Sequence, residues 1–367
     1  MLTIQSFKEK LLKEIEANLK NNYTDNWDYT IFGTETRPAT IKGKIVDWLK
    51  RTLPAKFVYH QLFKYRLQQH VEGMCRLSNL LEDEYSKDLL VKLLAYRLMG
   101  HTKVKLPLSS PAYWQQLAAA ENCITDKTDF IDPDFKGIKL YRHQLDKLGY
   151  PIQLYFMPFG VLVDFIIKQY EFNRDGIFIK AEKNDVVIDA GGCWGDTALY
   201  FSNETGEHGK VYSFEFIPGN ITLFNKNLSL NPLLKNQIEL VQNPLWNEPG
   251  TEMYYRDFGP ASTVSFTNFA NATGKTKTQT IDNFVKEAGV SKVDFIKMDI
   301  EGAEMNSLKG ARETLLAYKP KLAIAVYHDL ADFYTIADYL NELNIGYKFY
   351  LAHYTIHAGE TILYAKV

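Results

Sequence analysis

Val186-Val187-Ile188-Asp189-Ala190-Gly191-Gly192-Cys193-Trp194-Gly195-Asp196-Thr197 is the stretch on which the reading of this 367-residue chain turns. Branched apolar residues with one Asp among them read as a short buried strand. Gly191, Gly192 and Gly195 then call for a tight turn, because glycine accepts positive φ and lets backbone approach a ligand closely. Asp196-Thr197 opens a helical run, Ala198-Leu199-Tyr200-Phe201. Strand, glycine turn and helix in that order leave unpaired N–H groups at the helix start, facing a polar ligand. The second half of the chain is therefore expected to hold a nucleoside-containing cofactor. The competing reading is a glycine-rich βα turn that binds nothing.

Outward from this turn, β-rich and helical runs alternate. Strands are predicted at 186–190, 210–214, 238–241, 293–297, 322–326, 347–351 and 361–365. Helices are predicted at 196–202, 219–230, 281–287, 305–316 and 331–343, with a further helix led by Phe159–Ile167 and ending near Tyr170. Such alternation builds a mostly parallel sheet with helices on both faces. No helical pattern separates the last two strands, so they are expected to close the sheet as an antiparallel hairpin. Residues 250–280 combine strand-like residues and turns, and read as an insertion.

The N-terminal part has a different texture. Ile4, Phe7, Leu11, Leu12, Ile15 and Leu19 fall at helical spacing. A Tyr- and Thr-rich loop follows to about Lys42. Helices are predicted over 45–53, 55–67 and 80–99, the last stopped by Gly100. Pro107, Pro111 and Pro133 mark 101–150 as irregular. The expected division is a mainly helical extension of unassigned role, 1–150, and a cofactor-binding unit, 151–367.

Composition narrows the function classes. A hydrophobic share of 46% supplies a sizeable core, and a formal net charge of −2 gives no electrostatic case for a nucleic-acid partner. Cys75, Cys123 and Cys193 are too few and too odd for a disulfide framework and point to a reducing compartment. The first ten residues lack a secretory apolar core, and no apolar run is long enough to cross a bilayer. The expectation is a soluble cytoplasmic protein.

Two further acid motifs stand at predicted strand ends. Lys210-Val211-Tyr212-Ser213-Phe214-Glu215 places Glu215 about 20 residues past the glycine turn, the spacing of a ribose-binding acid. Val293-Asp294-Phe295-Ile296-Lys297-Met298-Asp299-Ile300-Glu301-Gly302-Ala303-Glu304 gathers three acids just past another strand. Asp299 is the favoured functional acid. Glu304 serves equally well as a helix-capping acid, and Glu301 fits either part.

Taken in order, the glycine turn, the strand ending in Glu215 and Ile296–Glu304 resemble the FkbM family of S-adenosylmethionine-dependent methyltransferases. Leu308-Lys309-Gly310-Ala311 and Lys319-Pro320-Lys321-Leu322 are similar to that family too, and the likeness spans roughly 160–367. One departure is Cys193-Trp194, where the family commonly carries Asn followed by Ile or Val; the glycines themselves are kept. The resemblance implies an α/β fold with a Rossmann-like class I methyltransferase sheet of seven strands, in the order 3-2-1-4-5-7-6 with the last strand antiparallel. It also implies methyl transfer to a hydroxyl, often of a sugar, glycan or natural product.

On that footing Asp189, Gly191, Gly192, Cys193, Trp194, Gly195 and Thr197 would hold the methionine portion of S-adenosyl-L-methionine and Glu215 its ribose. Residues 242–246, Asn243 among them, would border the adenine, with Trp194 or Phe216 stacking and Tyr170 covering. His328 is the expected general base, with Asp299 as the alternative base and a cofactor contact. His353 and His357 are placed in a hairpin loop, beside the acceptor or without a role. No metal is assigned, although Asp299, Glu301, Glu304 and His328 offer a divalent ion suitable ligands. The competing classes are a nicotinamide-dependent oxidoreductase, disfavoured because G-x-G-x-x-G is absent, and a non-catalytic cofactor-binding or scaffold protein.

Overall fold

The computed structural model describes residues 1–28 and 53–367. The helix expected over 45–53 falls almost wholly outside the described residues. The centre of the fold is a seven-stranded sheet: β1 (Val186–Ala190), β2 (Lys210–Phe214), β3 (Ile238–Val241), β4 (Phe295–Met298), β5 (Lys321–Ala325), β6 (Lys348–His353) and β7 (Thr361–Lys366). Its spatial order is β3-β2-β1-β4-β5-β7-β6. The strands from β3 to β5 pair in parallel, with Val187 opposite both Val211 and Phe295. β7 runs antiparallel to β5 and β6, as the missing helix between the last two strands predicts.

Side chains of successive strand residues point to opposite faces. Val187, Val211 and Phe295 pack with Trp194, Tyr200 and Phe201 on one face. Ile188, Ile296, Leu322 and Leu363 pack on the other. All are nearly inaccessible to solvent, which is why these strands read as continuous apolar runs rather than alternating ones. The chain steps from β1 to β2 and β3 on one side, then returns to β4 and β5 on the other. That reversal opens a crevice at the carboxyl ends of β1 and β4, where ligands of such sheets bind.

The N-terminal helices Ile4–Ala17, Val71–Leu80 and Glu84–Met99 join the second face, sharing one core with the sheet and with helix Asp332–Glu342. They also cover the edge strand β6. Leu81 bridges Phe349, the Ser86 hydroxyl accepts from Leu351 N–H at 2.9 Å, and the Tyr96 hydroxyl donates to the Ile356 carbonyl at 3.1 Å. An edge so covered has no free ladder for another chain.

Several local expectations need correction. The helix expected over 80–99 runs over Glu84–Met99, because a preceding helix, Val71–Leu80, ends at extended Leu81. Glu84–Met99 is capped by Asp83, whose carboxylate accepts the Ser86 N–H at 2.8 Å. The helix expected over 305–316 divides into Glu304–Lys309 and Arg312–Tyr318 around Gly310, where an added Cβ would lie 2.2 Å from the Trp246 carbonyl oxygen. Residues 101–150 are not irregular. Pro111 starts a helix ending at Glu121, since proline is tolerated at the first helical position. Phe130–Ile131 and Leu140–Gln144 form a small antiparallel sheet with Gln153–Phe156. The helix expected from Phe159 is a single turn, Pro158–Gly160, continued by π-helical Val161–Ile166. The 250–280 insertion is a three-stranded antiparallel sheet centred on Glu252–Arg256.

Candidate functional site

The glycine turn after β1 wraps close against the end of β4. Gly191 has φ +89°, and an added Cβ would stand 2.0 Å from the Asp299 carbonyl oxygen, so no side chain fits. The Gly191 and Gly192 N–H groups donate to the Phe214 carbonyl at 3.1 and 2.9 Å, locking the turn to β2. Cys193 takes a left-handed φ of +40°, and Gly195 at +85° leads into helix Asp196–Thr205. Trp194 turns inward. It is 1% exposed, gives its indole N–H to the Asn220 side chain at 3.0 Å and stands edge-on to Phe156. It is therefore a core residue and offers no stacking face. Phe216, half-buried, meets Tyr255 edge-on.

Asp189 lies fully buried behind the turn. Its carboxylate accepts from the Thr197 hydroxyl at 3.0 Å and the Ser213 hydroxyl at 2.7 Å, and pairs with Lys297 Nζ at 3.2 Å. Lys297 also donates to the carbonyls of Gly191 at 2.7 Å and Ala190 at 3.2 Å. Asp189 and Thr197 thus brace the turn from behind rather than reaching into the crevice. Burial alone would lower the Lys297 pKa. The carboxylates of Asp189, Asp299 and Asp196 outweigh it and hold the ammonium above its usual value. Lys297 escaped the sequence reading because an inward lysine at this strand position looks like a solvated one.

Glu215 sits at the carboxyl end of β2. One oxygen accepts the N–H groups of Phe216 and Ile217 at 2.6 and 2.7 Å, and the other accepts the Asn220 amide at 3.0 Å. Burial pushes its carboxyl up to about 7, against the pull of these donors. Asn243, just past β3, donates to the Lys277 carbonyl at 3.0 Å and so ties the end of β3 to the insertion.

The densest chemistry lies past β4 and β5. Asp299 accepts from the Tyr327 hydroxyl at 3.0 Å and the Tyr170 hydroxyl at 3.3 Å. Glu301 (φ +56°) and Gly302 (φ +95°) fold the chain back, so that Glu304 returns to accept the Ile300 N–H at 2.8 Å. His328 arrives from the end of β5. Its Nε2 is 3.4 Å from Asp299 Oδ1 and 3.7 Å from Glu301, and its Nδ1 is 3.3 Å from Glu304 Oε1. Burial works to lower the imidazole pKa, but the Glu304 contact and the charges of Asp299, Glu304 and Glu301 raise it to about 9. The surrounding carboxylates thus favour the protonated ring, whereas the base expected at His328 is the neutral one. Burial raises the Asp299 carboxyl above its ordinary value, with His328 and Lys297 opposing.

Sequence reasoning missed three neighbours. Asp164, on the π-helical turn, lies beside Asp196, and burial raises both carboxyls. Glu360 accepts the Gln169 amide at 2.7 Å, and burial and Asp299 lift it to about 7. A lone Asp inside the apolar run Phe159–Ile167 was the available signal for Asp164. His353 is not in a loop but ends β6, paired with Thr361, while His357 lies in the β6–β7 connection; each is 4% exposed. Burial lowers them to about 3 and 4, so both are neutral. His353 lines a cavity of about 450 Å³ together with Lys168, Arg174 and Tyr354, apart from the glycine turn.

A sheet of this order, with a glycine turn after its first strand and acids at the ends of its second and fourth, is the Rossmann-like class I methyltransferase fold. Residues 179–349 match the methyltransferase FkbM domain family. Among solved structures, methyltransferase FkbM from Methylobacillus flagellatus is similar at 19% identity, with 89% of this chain and 71% of that chain covered and a TM-score of 0.49. Fibrillarin from Aeropyrum pernix, solved with natively bound S-adenosyl-L-methionine, is similar at 12% identity, over 62% and 90% of the two chains, with a TM-score of 0.35. A SAM-dependent methyltransferase from Aquifex aeolicus is similar at 17% identity, over 50% and 83%, with a TM-score of 0.30. No curated protein matches the chain.

Proposed function

We propose that this chain is an S-adenosyl-L-methionine-dependent O-methyltransferase acting on a hydroxyl of a sugar, glycan or related natural-product acceptor. The observation that carries this is the excess of acids around the crevice beside the glycine turn. Asp164, Asp196, Asp299, Glu301, Glu304 and Glu360 gather there, while the buried cation Lys297 is committed to Asp189 and two carbonyls. A methyl donor bearing a sulfonium and an ammonium matches such a rim electrostatically. The fit extends to single atoms, because Asp196 Oδ1 is buried without a hydrogen-bond partner. When bound, the cofactor supplies a methyl group already activated on sulfur.

The protein has then to align the acceptor oxygen, exclude water and take up a proton. Asp164 and Asp196 would hold the ammonium, the glycine turn the methionine backbone, and Glu215 the ribose. Asp299 takes the role of base. Tyr170 and Tyr327 orient its carboxylate, its raised pKa suits proton uptake, and the His328 imidazolium lends positive charge. The hydroxyls and carboxylates of the cluster suit a polyhydroxylated acceptor. Residues 1–150 are assigned as a supporting extension of a 151–367 catalytic unit, in a cytoplasmic protein; no described helix is long and apolar enough to cross a membrane.

Calorimetry with S-adenosylhomocysteine tests the cofactor, with about micromolar binding expected. A well-folded sample giving no heat, or a melting temperature raised by NAD and not by S-adenosylhomocysteine, would refute the reading. A radiolabelled methyl-transfer screen against glycans and cell extracts tests the acceptor, and label recovered only on nitrogen or carbon would refute O-methylation.

A further inference from the structure

Asp299 and Glu304 stand at the two ends of the turn after β4, and His328 on the connection after β5. One carboxylate oxygen from each acid and one imidazole nitrogen lie within 4.8 Å of one another. Around a divalent ion with bonds of about 2.1 Å, neighbouring ligands stand about 3 Å apart and opposite ones about 4 Å. Nε2 of His328 stands 3.4 Å from Asp299 Oδ1, in that range, while its Nδ1 faces Glu304 Oε1 at 3.3 Å; only one of the two nitrogens would be the ligand.

The hydrogen bonding is the independent sign. Glu304 is 1% exposed, and its Oε2 has no partner although its Oε1 is satisfied by the Ile300 N–H. Both ring nitrogens of His328 are buried and face carboxylates, Nε2 toward Asp299 and Nδ1 toward Glu304, so the atom without any partner is Glu304 Oε2. Buried polar atoms left without partners are rare and call for a missing group. The Tyr170 and Tyr327 hydroxyls meanwhile bind Asp299 from outside, as orienting neighbours of a metal ligand do.

We propose that Asp299, Glu304 and His328 form a site for one divalent cation of the manganese class. Two carboxylates with one imidazole suit Mn²⁺ better than Mg²⁺, which prefers an all-oxygen shell, or a structural zinc site, which is rich in thiolate and imidazole. On binding, the ion would displace the ring proton of His328 and take over from Asp299 the task of easing loss of the acceptor proton. Three protein ligands leave coordination positions for water and an acceptor hydroxyl, whose acidity the ion would increase. That role rests on the O-methyltransferase reading, whereas the binding itself does not.

The test is a Mn²⁺ titration of the chelator-stripped full chain, read as loss of the free-ion signal in electron paramagnetic resonance. One Mn²⁺ per chain is expected. Glu304→Gln keeps the oxygen that serves Ile300 and should weaken binding about tenfold or more, in line with the 10–100-fold typical of changes around a metal site. Asp299→Asn and His328→Gln should do the same, and Glu239→Gln, an exposed acid on β3, should change nothing. Circular dichroism confirms folding of each variant, and any of the three that folds decides the matter. Free signal undiminished at millimolar Mn²⁺, or binding indifferent to all folded variants, overturns the site. S-adenosylhomocysteine calorimetry in chelating buffer separates the two ideas. Nucleoside binding without Mn²⁺ binding sinks the metal alone, while loss of both sinks the enzyme reading as well.

Discussion

Lys297→Met is the substitution that bears hardest on how this site is built. The side chain is 1% exposed, pairs with Asp189 at 3.2 Å and donates to the Gly191 and Ala190 carbonyls. Methionine of similar length would fill the volume but leave Asp189 a fully buried carboxylate held only by the Thr197 and Ser213 hydroxyls. Removing one partner of a buried ion pair costs about 3–5 kcal/mol, because the remaining charge stays desolvated. With an m-value of about 3 kcal/mol/M, the urea midpoint should fall by more than about 1 M. The double variant Asp189→Asn, Lys297→Met removes the stranded charge and should recover about half the loss. S-adenosylhomocysteine affinity should fall in the single variant, because Lys297 also pins the Gly191 carbonyl. A midpoint within about 0.3 M of the parent, or no recovery in the double variant, would refute the view that Lys297 exists to neutralise the acid behind the turn.

Three further outcomes follow from the geometry. Asp299→Asn should lower the methyl-transfer rate by about 10²–10⁴ while leaving the fold intact, as loss of a general base does; an unchanged rate on an accepted substrate would move the base elsewhere. Gly191→Ala, facing a carbonyl 2.0 Å from its Cβ at φ +89°, should cost about 1–3 kcal/mol of strain and overpacking and abolish S-adenosylhomocysteine binding by calorimetry. His143 is buried, and burial lowers it to about 4. A folded pKa below the unfolded value gives stability that is complete above about pH 6.5 and is lost as pH falls toward 4, roughly 3 kcal/mol in all. His143→Gln should therefore reduce the pH dependence of urea stability between those limits, with His353 and His357 keeping their shares, and an unchanged profile would show that His143 is not a source.

The strand–turn–helix at 186–205, the seven strands and the closing hairpin were legible because each rests on short-range chemistry. Apolar runs, glycines at positive φ and the absent helix between 353 and 361 are all visible in a window of a dozen residues. Boundaries failed where a local pattern was overruled. The apolar spacing of 80–99 ran through Leu81, whose backbone instead bridges β6, and that of 305–316 ran through Gly310, pressed against Trp246. In 101–150 the prolines were read as breakers, although Pro111 begins a helix.

By itself the sequence determined the sheet, its glycine turn and the strand ends at which acids gather, because periodicity and glycine chemistry act between near neighbours. Tertiary structure alone decided what those acids do. Asp189 and Trp194 face inward because Lys297 and Asn220 wait there, from 108 and 26 residues along the chain. The pKa of His328 is raised because three carboxylates from the β4 turn surround it. Asp164 and Glu360 join the rim from segments that carry no motif. Charge and desolvation act through space, and the order of residues along a chain does not record which of them will meet.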